Sequence, residues 1–445
     1  MRRDLTKGDI SSQIRYISIP SSIGFLFYTL FNLTDTYFAS TLSTNAIAAL
    51  VLASTVYFMI ISISRGMSSA VTSLVGNALG KKDILKVKNL VVHTYIFAFF
   101  MVVFLYIFYF LFIDYIFYFT SNNKEYLNNS IIFINIIVLA MPFYLTSSYS
   151  NAILTSHGDT KSFRNILIIN FFINIILNIW FIYGGFGVPA LGFAGIAYAT
   201  ITTECITSFY LLYKVYKLNI IDSFSFFEYN FNIIKEIFFQ GLPATINMSL
   251  MSLGTFMLIY FLSTINSDVV AAYGIGVRLE QIALIPSVGI SVAVAAMISQ
   301  NNGAKNYKRL DEIMSKVYKY VFILYGFGFL FMFCSAYFLA PLFTSSSFVL
   351  EQAQIYIQIN AILLLAYILI FVNVSFLQAI KKPKMIFYIG LVRQIILPFL
   401  LFNIIYYYKL DAFYYWIATF ISVSLSTIYL HFLQKKYLKE LYEKA

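Results

Sequence analysis

Apolar runs of about twenty residues or more follow one another along the whole chain, and few architectures can accommodate that. They fall near 16–39, 46–78, 88–119, 129–156, 163–183, 190–216, 236–265, 269–300, 310–340, 352–380, 385–407 and 411–434. A helix needs about 20 residues to cross ~30 Å of hydrocarbon, so each run is long enough to span a bilayer and the longest are expected to protrude. Composition agrees. Of 445 residues, 60% are hydrophobic and 11% charged, against roughly 25% charged in a soluble domain, which could not hide so much apolar surface in one core. The net charge of +11 does not point to nucleic acid, because the basic residues sit in short clusters between apolar runs rather than on one polar face. Cys205 and Cys334 both lie inside apolar runs, so no disulfide framework is expected. The N-terminus is charged (Arg2, Arg3, Asp4, Lys7) and leads into a full-length span, so no cleavable signal is expected.

The basic clusters set an orientation. Arg2, Arg3, Lys7 and Arg15 precede span 1, and Lys81, Lys82, Lys86 and Lys88 separate spans 2 and 3. The same set of connections continues through Lys161 and Arg164, then Lys214, Lys217 and Lys235, then the cluster from Lys305 to Lys319. It closes with Lys381, Lys382 and Lys384 and with the terminal Lys435, Lys436, Lys439 and Lys444. The alternate connections hold only Lys124 and Lys409. This bias places both termini in the cytoplasm of a multi-pass protein of the cell's inner (plasma) membrane.

The chain also repeats itself. Displaced by 223 residues, Pro20 falls on Pro243, Ser40-Thr41 on Ser263-Thr264, Ala48-Ala49 on Ala271-Ala272, Gly66 on Gly289 and Lys82 on Lys305, without a gap. Six spans per copy is an even number, so the copies share one orientation, and parallel repeats of this kind are common in transporters. The expected fold is therefore an all-α integral membrane protein of about twelve transmembrane helices in two parallel six-helix repeats. The lobes are expected at 1–218 and 236–445, with a cytoplasmic linker at 219–235.

On these residues the chain resembles the multidrug and toxic compound extrusion (MATE) family. Pro20 through Asn32, Asp35 and Phe38 to Ala46-Ile47-Ala48-Ala49-Leu50 looks like its opening motif, and Val188-Pro189-Ala190-Leu191-Gly192-Phe193-Ala194-Gly195 like its connection between spans 5 and 6. Ala271-Ala272-Tyr273, Arg278-Leu279-Glu280, Pro286 and Gln300-Asn301-Asn302-Gly303-Ala304 resemble its span 8. The resemblance covers nearly the whole chain. It implies two six-helix lobes and cation-coupled, alternating-access export of amphipathic, often cationic compounds from a protein expected to be monomeric.

Few ionisable residues lie inside the spans, where each costs ~2.5 kcal/mol or more near the bilayer centre. Asn32 and Asp35 sit one turn apart on one face of span 1, and Asp35 reads either as a functional acid or as an acid snorkelling to the interface. The resemblance places the family's coupling carboxylate at Asp35. Asn170, Asn174 and Asn178 form a stripe at i, i+4 and i+8 of span 5, which reads as helix–helix glue. By resemblance, Asn174 and Asn178 with Thr200 line a cavity beside Asp35. Some family members carry Asp where this chain has Asn178, so a sodium site is weakened here and a proton is the favoured coupling ion, with sodium the alternative. Glu280 and Arg278 are two apart on span 8 and face different ways. With Glu204 in span 6 they form a second rank, functional or structural. Arg65 in span 2 belongs with them. His93, His157 and His431 lie at or near span ends and read as incidental. Pro20, fifteen residues or about four turns before Asp35, is either a hinge in span 1 or the mark of its start.

Other functions fit less well. The stretch Gly76 to Lys81 lacks the spacing and the hydroxyl residue of a phosphate loop, so gradients rather than ATP are expected to power transport. No clustered acid, base and nucleophile or metal set marks an enzyme. No cofactor is expected beyond the coupling ion, and no metal is assigned. The partners expected are small-molecule substrates and the lipid bilayer. A flippase of lipid-linked saccharides shares the repeat architecture and is the alternative.

Overall fold

The computed structural model describes residues 3–118, 124–220 and 229–443. The expected linker at 219–235 lies partly outside them, as do Arg2 and Lys444. Helices account for all twelve expected spans. Five come from α1 (Ile10–Leu42), α2 (Thr44–Gly80), α3 (Ile84–Tyr118) and the pair α4 (Lys124–Leu139) and α5 (Met141–Ser156), followed by α6 (Lys161–Tyr183). Next come α7 (Phe193–Tyr216), α8 (Phe231–Ser263), α9 (Ser267–Gly303), α10 (Tyr307–Phe338) and α11 (Ser347–Ala379). The last two spans are α12 (Pro383–Leu391) joined by a π turn at Val392–Ile396 to α13 (Leu397–Tyr407), and α14 (Ala412–Glu443). At 1.5 Å per residue the 37 residues of α2 reach about 55 Å, well beyond the hydrocarbon, as the long runs require. Nine helices among the described residues are apolar enough to cross a membrane alone, and the α4–α5 pair makes a tenth. Helices α2 and α7 fall outside this set, and α7 carries several threonines and Glu204 along its length.

Helix starts follow short polar side chains. Asp9 accepts from Ser12 N at 2.6 Å, so α1 begins at Ile10, six residues before the apolar run. That backbone hydrogen bond, with Lys316 nearby, holds the Asp9 carboxyl below the usual carboxylate range. Asp83 and Asp159 cap α3 and α6 in the same way, through Lys86 N and Ser162 N. Pro20 and Pro243 both lie inside their helices. Pro20 therefore does not mark a helix start, and its repeat partner Pro243 sits twelve residues into α8.

The 223-residue displacement carries through the backbone. It maps α2 onto α9 end to end, the start of α4 onto that of α11, and the end of α5 onto the end of α11. Left-handed residues recur with it, Lys82 at φ 58° and Lys305 at φ 57°. The described residues form two compact units. One comprises Met1–Asp4, Ile23–Leu79 and Asp83–Gly241, the other Leu5–Ser22, Gly80–Lys82 and Leu242–Ala445. Helices α1 and α8 each contribute to both units, and the change falls within three residues of Pro20 in α1 and of Pro243 in α8. In the first unit α7 packs against α4, α5 and α6; in the second α11 packs against α9, α10 and α14. Bulky side chains such as Phe99, Phe104 and Phe110 point outward on α3, as a lipid-facing surface demands.

Candidate functional site

Asp35 stands two turns before the end of α1 and is only 7% exposed. Burial removes the water that would stabilise its charge, so its partners decide what it can do. Three neutral groups supply them. Its Oδ1 accepts from Asn174 Nδ2 at 3.1 Å and Asn178 Nδ2 at 3.0 Å, and its Oδ2 from Thr200 Oγ1 at 3.0 Å. The i, i+4 spacing of Asn174 and Asn178 puts both amides on one face of α6, where Asn178 also donates to Asn174 Oδ1 at 3.0 Å. One turn earlier, Asn170 donates to Thr203 O and Thr207 Oγ1 across the α6–α7 seam. That seam is tight because of Gly195, where a Cβ would stand 2.7 Å from the carbonyl carbon of Phe181. The missing side chain lets α7 approach the end of α6 and brings Thr200 within reach of Asp35.

Among the described residues, no Lys, Arg or His lies within ion-pair distance of Asp35. The carboxylate is hydrogen-bonded but not neutralised. It borders a cavity of about 100 Å³ lined also by Asn32, Ser54, Tyr57, Phe133 and Thr200. Asn32 and Asp35 thus share one cavity face, and the interfacial-snorkel reading of Asp35 does not describe this geometry. Asn178 Oδ1 is buried with no hydrogen-bond partner.

The second-rank residues lie apart from this cluster. Glu204, one turn beyond Thr200 on α7, accepts from Ser147 Oγ at 3.5 Å. In the second unit, Glu280 accepts from Tyr356 OH at 2.8 Å while Arg278 faces outward. Arg65 stacks over Phe25 and Tyr28, its guanidinium 5.5 and 5.2 Å from the ring centroids. His93 and His157 are buried and bound to backbone groups, Asn230 N and Ile153 O. No group of three or more His, Cys, Asp or Glu among the described residues is arranged to hold a metal.

Sequence reasoning passed over two tyrosine hydroxyls. Tyr57 OH donates to Tyr144 OH at 2.7 Å beside the cavity. With 36 tyrosines in the chain nothing singles out Tyr144. Tyr57, however, falls on Glu280 under the 223-residue displacement, and that coincidence was visible.

The sequence profile of the MatE family matches residues 20–180 and again 243–404, two copies that begin 223 residues apart. The chain belongs to the MatE family. Among curated relatives in this family, the probable multidrug resistance protein YoeA of Bacillus subtilis is 28% identical over 278 residues, 61% of this chain. The match spans only 60% of that relative's own length. The FAD transporter of Shewanella oneidensis is 26% identical over 403 residues, covering 89% of this chain and 88% of the relative. The solved structure of a MATE in complex with MaL6 superimposes with a TM-score of 0.91 at 22% identity, over 99% of both chains. That likeness shows that the MatE fold is shared throughout.

Proposed function

We propose that this MatE protein is a secondary active exporter of organic cations that exchanges them for protons at Asp35. One observation carries the reading: a buried carboxylate with three neutral donors and, among the described residues, no cationic partner borders a cavity lined in part by the rings of Phe31, Tyr57 and Phe133. An uncompensated buried charge is costly and is relieved by binding a positive ligand or a proton. Ring faces add attraction for a flat organic cation. Cargo and proton therefore compete for one carboxylate, and by linkage each weakens the other. The multidrug resistance name of the Bacillus relative fits such a cargo. FAD, the cargo named for the Shewanella relative, and the pyrophosphate of a saccharide carrier lipid are anions, and both would meet the Asp35 charge unfavourably.

A proton is favoured over sodium because one carboxylate suffices for it. A hard cation needs several oxygens with charge behind them, and here two of the partners turn amide N–H groups toward the carboxylate. Protonation of Asp35 removes a buried charge and lets α1 repack, with the bend at Pro20, which removes a backbone hydrogen bond inside that helix. Everted vesicles loaded under an imposed proton gradient, then under a sodium gradient at fixed pH and potential, test the coupling. Export driven by protons alone supports the reading, and export driven by sodium alone overturns it.

A further inference from the structure

A second acid in the first unit has no place in the exchange just described. Glu204 follows Thr200 by one turn on α7, so the two project from neighbouring positions on one face of that helix. Among the described residues its only hydrogen bond is the long 3.5 Å contact from Ser147 Oγ, whereas Asp35 receives three at 3.0–3.1 Å. Among the described residues no Lys, Arg or His forms an ion pair with it. A half-buried carboxyl so poorly supported carries its charge at a cost, which a proton relieves. The surrounding groups link it to Asp35. Tyr57 lines the Asp35 cavity and donates to Tyr144 OH. Tyr144 lies within electrostatic reach of both Glu204 and Asp35, and Tyr57 within reach of Glu204.

The charged and titratable groups around Glu204 are few. Helix α2 brings Tyr57 and α5 brings Tyr144 within reach of Glu204, and that pair is in turn within reach of Tyr28 and Asp35 on α1. The α6 face turned to α7 offers amides only, Asn170, Asn174 and Asn178. Arg65 is engaged over Phe25 and Tyr28. We infer that Glu204 is a second proton-binding group of the first unit, coupled to Asp35 through the Tyr57–Tyr144 hydroxyl pair, so that the two carboxyls titrate as one system. Two like charges close to one hydroxyl pair disfavour each other, so the loss of a proton from one carboxyl opposes its loss from the other. No covalent change is involved; the proton leaves the carboxyl oxygen and returns to it. The inference rests on Asp35 being the exchanging acid.

The test needs no transported cargo. In the full-length protein reconstituted in lipid nanodiscs, the infrared carbonyl band of protonated carboxylic acids is followed across pH. The wild-type minus Glu204→Gln difference isolates Glu204, with Glu204→Asp as the control that restores a titrating acid. The expected difference is a band present at low pH that disappears as pH rises. Recorded again in an Asp35→Asn background, its midpoint shifts, as a double-mutant cycle requires of coupled sites. A band absent at every pH, or one that never disappears, overturns the inference, and so does a midpoint that is the same in both backgrounds. Should Glu204→Gln fail to fold, the wild-type minus Glu204→Asp difference shows the band displaced in frequency, and the midpoint of that displaced pair is compared in the two backgrounds instead. Normal proton-coupled export by Asp35→Asn would instead sink the Asp35 reading, so the two failures are distinguishable.

Discussion

The two units share one framework and fill it differently. Displaced by 223 residues, the first unit's ring pair Phe133–Phe193, 5.3 Å between centroids, becomes Tyr356–Trp416 at 4.8 Å in the second. Tyr57 becomes Glu280, Tyr144 becomes Tyr367, and Asp35 becomes Leu258. Leu50, which lines the Asp35 cavity, becomes Tyr273, whose ring stacks on Trp416 at 5.9 Å and meets Tyr356 at 5.2 Å. Gly276 accommodates this crowding, since a Cβ there would stand 2.1 Å from Tyr356 Cδ1. One unit thus holds an acid against a void, the other an acid braced by packed rings. The bends differ too. Pro142, in the first turn of α5, breaks span 4 by 49°, while Leu365 at the matching place leaves α11 continuous. Span 11 carries Pro398 and a π turn where the matching α6 is unbroken. The repeat preserves the helices, and the first unit keeps space beside the carboxylate to which the exchange is assigned in the proposed function.

The largest effect expected from breaking this asymmetry is loss of function. Asp35→Asn should abolish coupled export at normal membrane levels, while Glu280→Gln should leave it in place; efflux assays on the two variants side by side check this. Leu50→Tyr makes the first unit resemble the second by filling the cavity. It should block binding of a fluorescent organic cation and cost about 1–3 kcal/mol of stability through overpacking, read by ligand titration and thermal melting. Tyr356→Phe removes the only hydrogen-bond donor to Glu280 among the described residues. It should lower stability by about 1–3 kcal/mol with export retained at permissive temperature. Pro142→Leu, which copies the second unit's residue, should have the smallest effect, a stability change within about 1 kcal/mol.

The architecture was open to sequence reasoning because lipid imposes it: apolar length sets the spans, and matching Pro and Gly positions expose the repeat. The Asp35 cluster was partly open for the same kind of reason, since i, i+4 spacing on α6 fixes which amides share a face. Other features were hidden by context. Pro142 sits in an unbroken apolar run, and only packing decides whether such a proline bends a span. The polar first turn of α1 masks its start at Ile10, which is why Pro20 read as a position near a helix end when it lies inside. Tyr144 becomes visible only once α2 and α5 are side by side.

Binding of a flat organic cation such as ethidium to the purified protein across pH tests the central claim most directly. The cation binds the deprotonated carboxylate, so affinity should fall as pH drops through the Asp35 titration. Asp35→Asn should bind weakly with no such dependence. If Asp35→Asn kept the wild-type pH profile, the proton and the cargo would not meet at Asp35, and the account would be wrong.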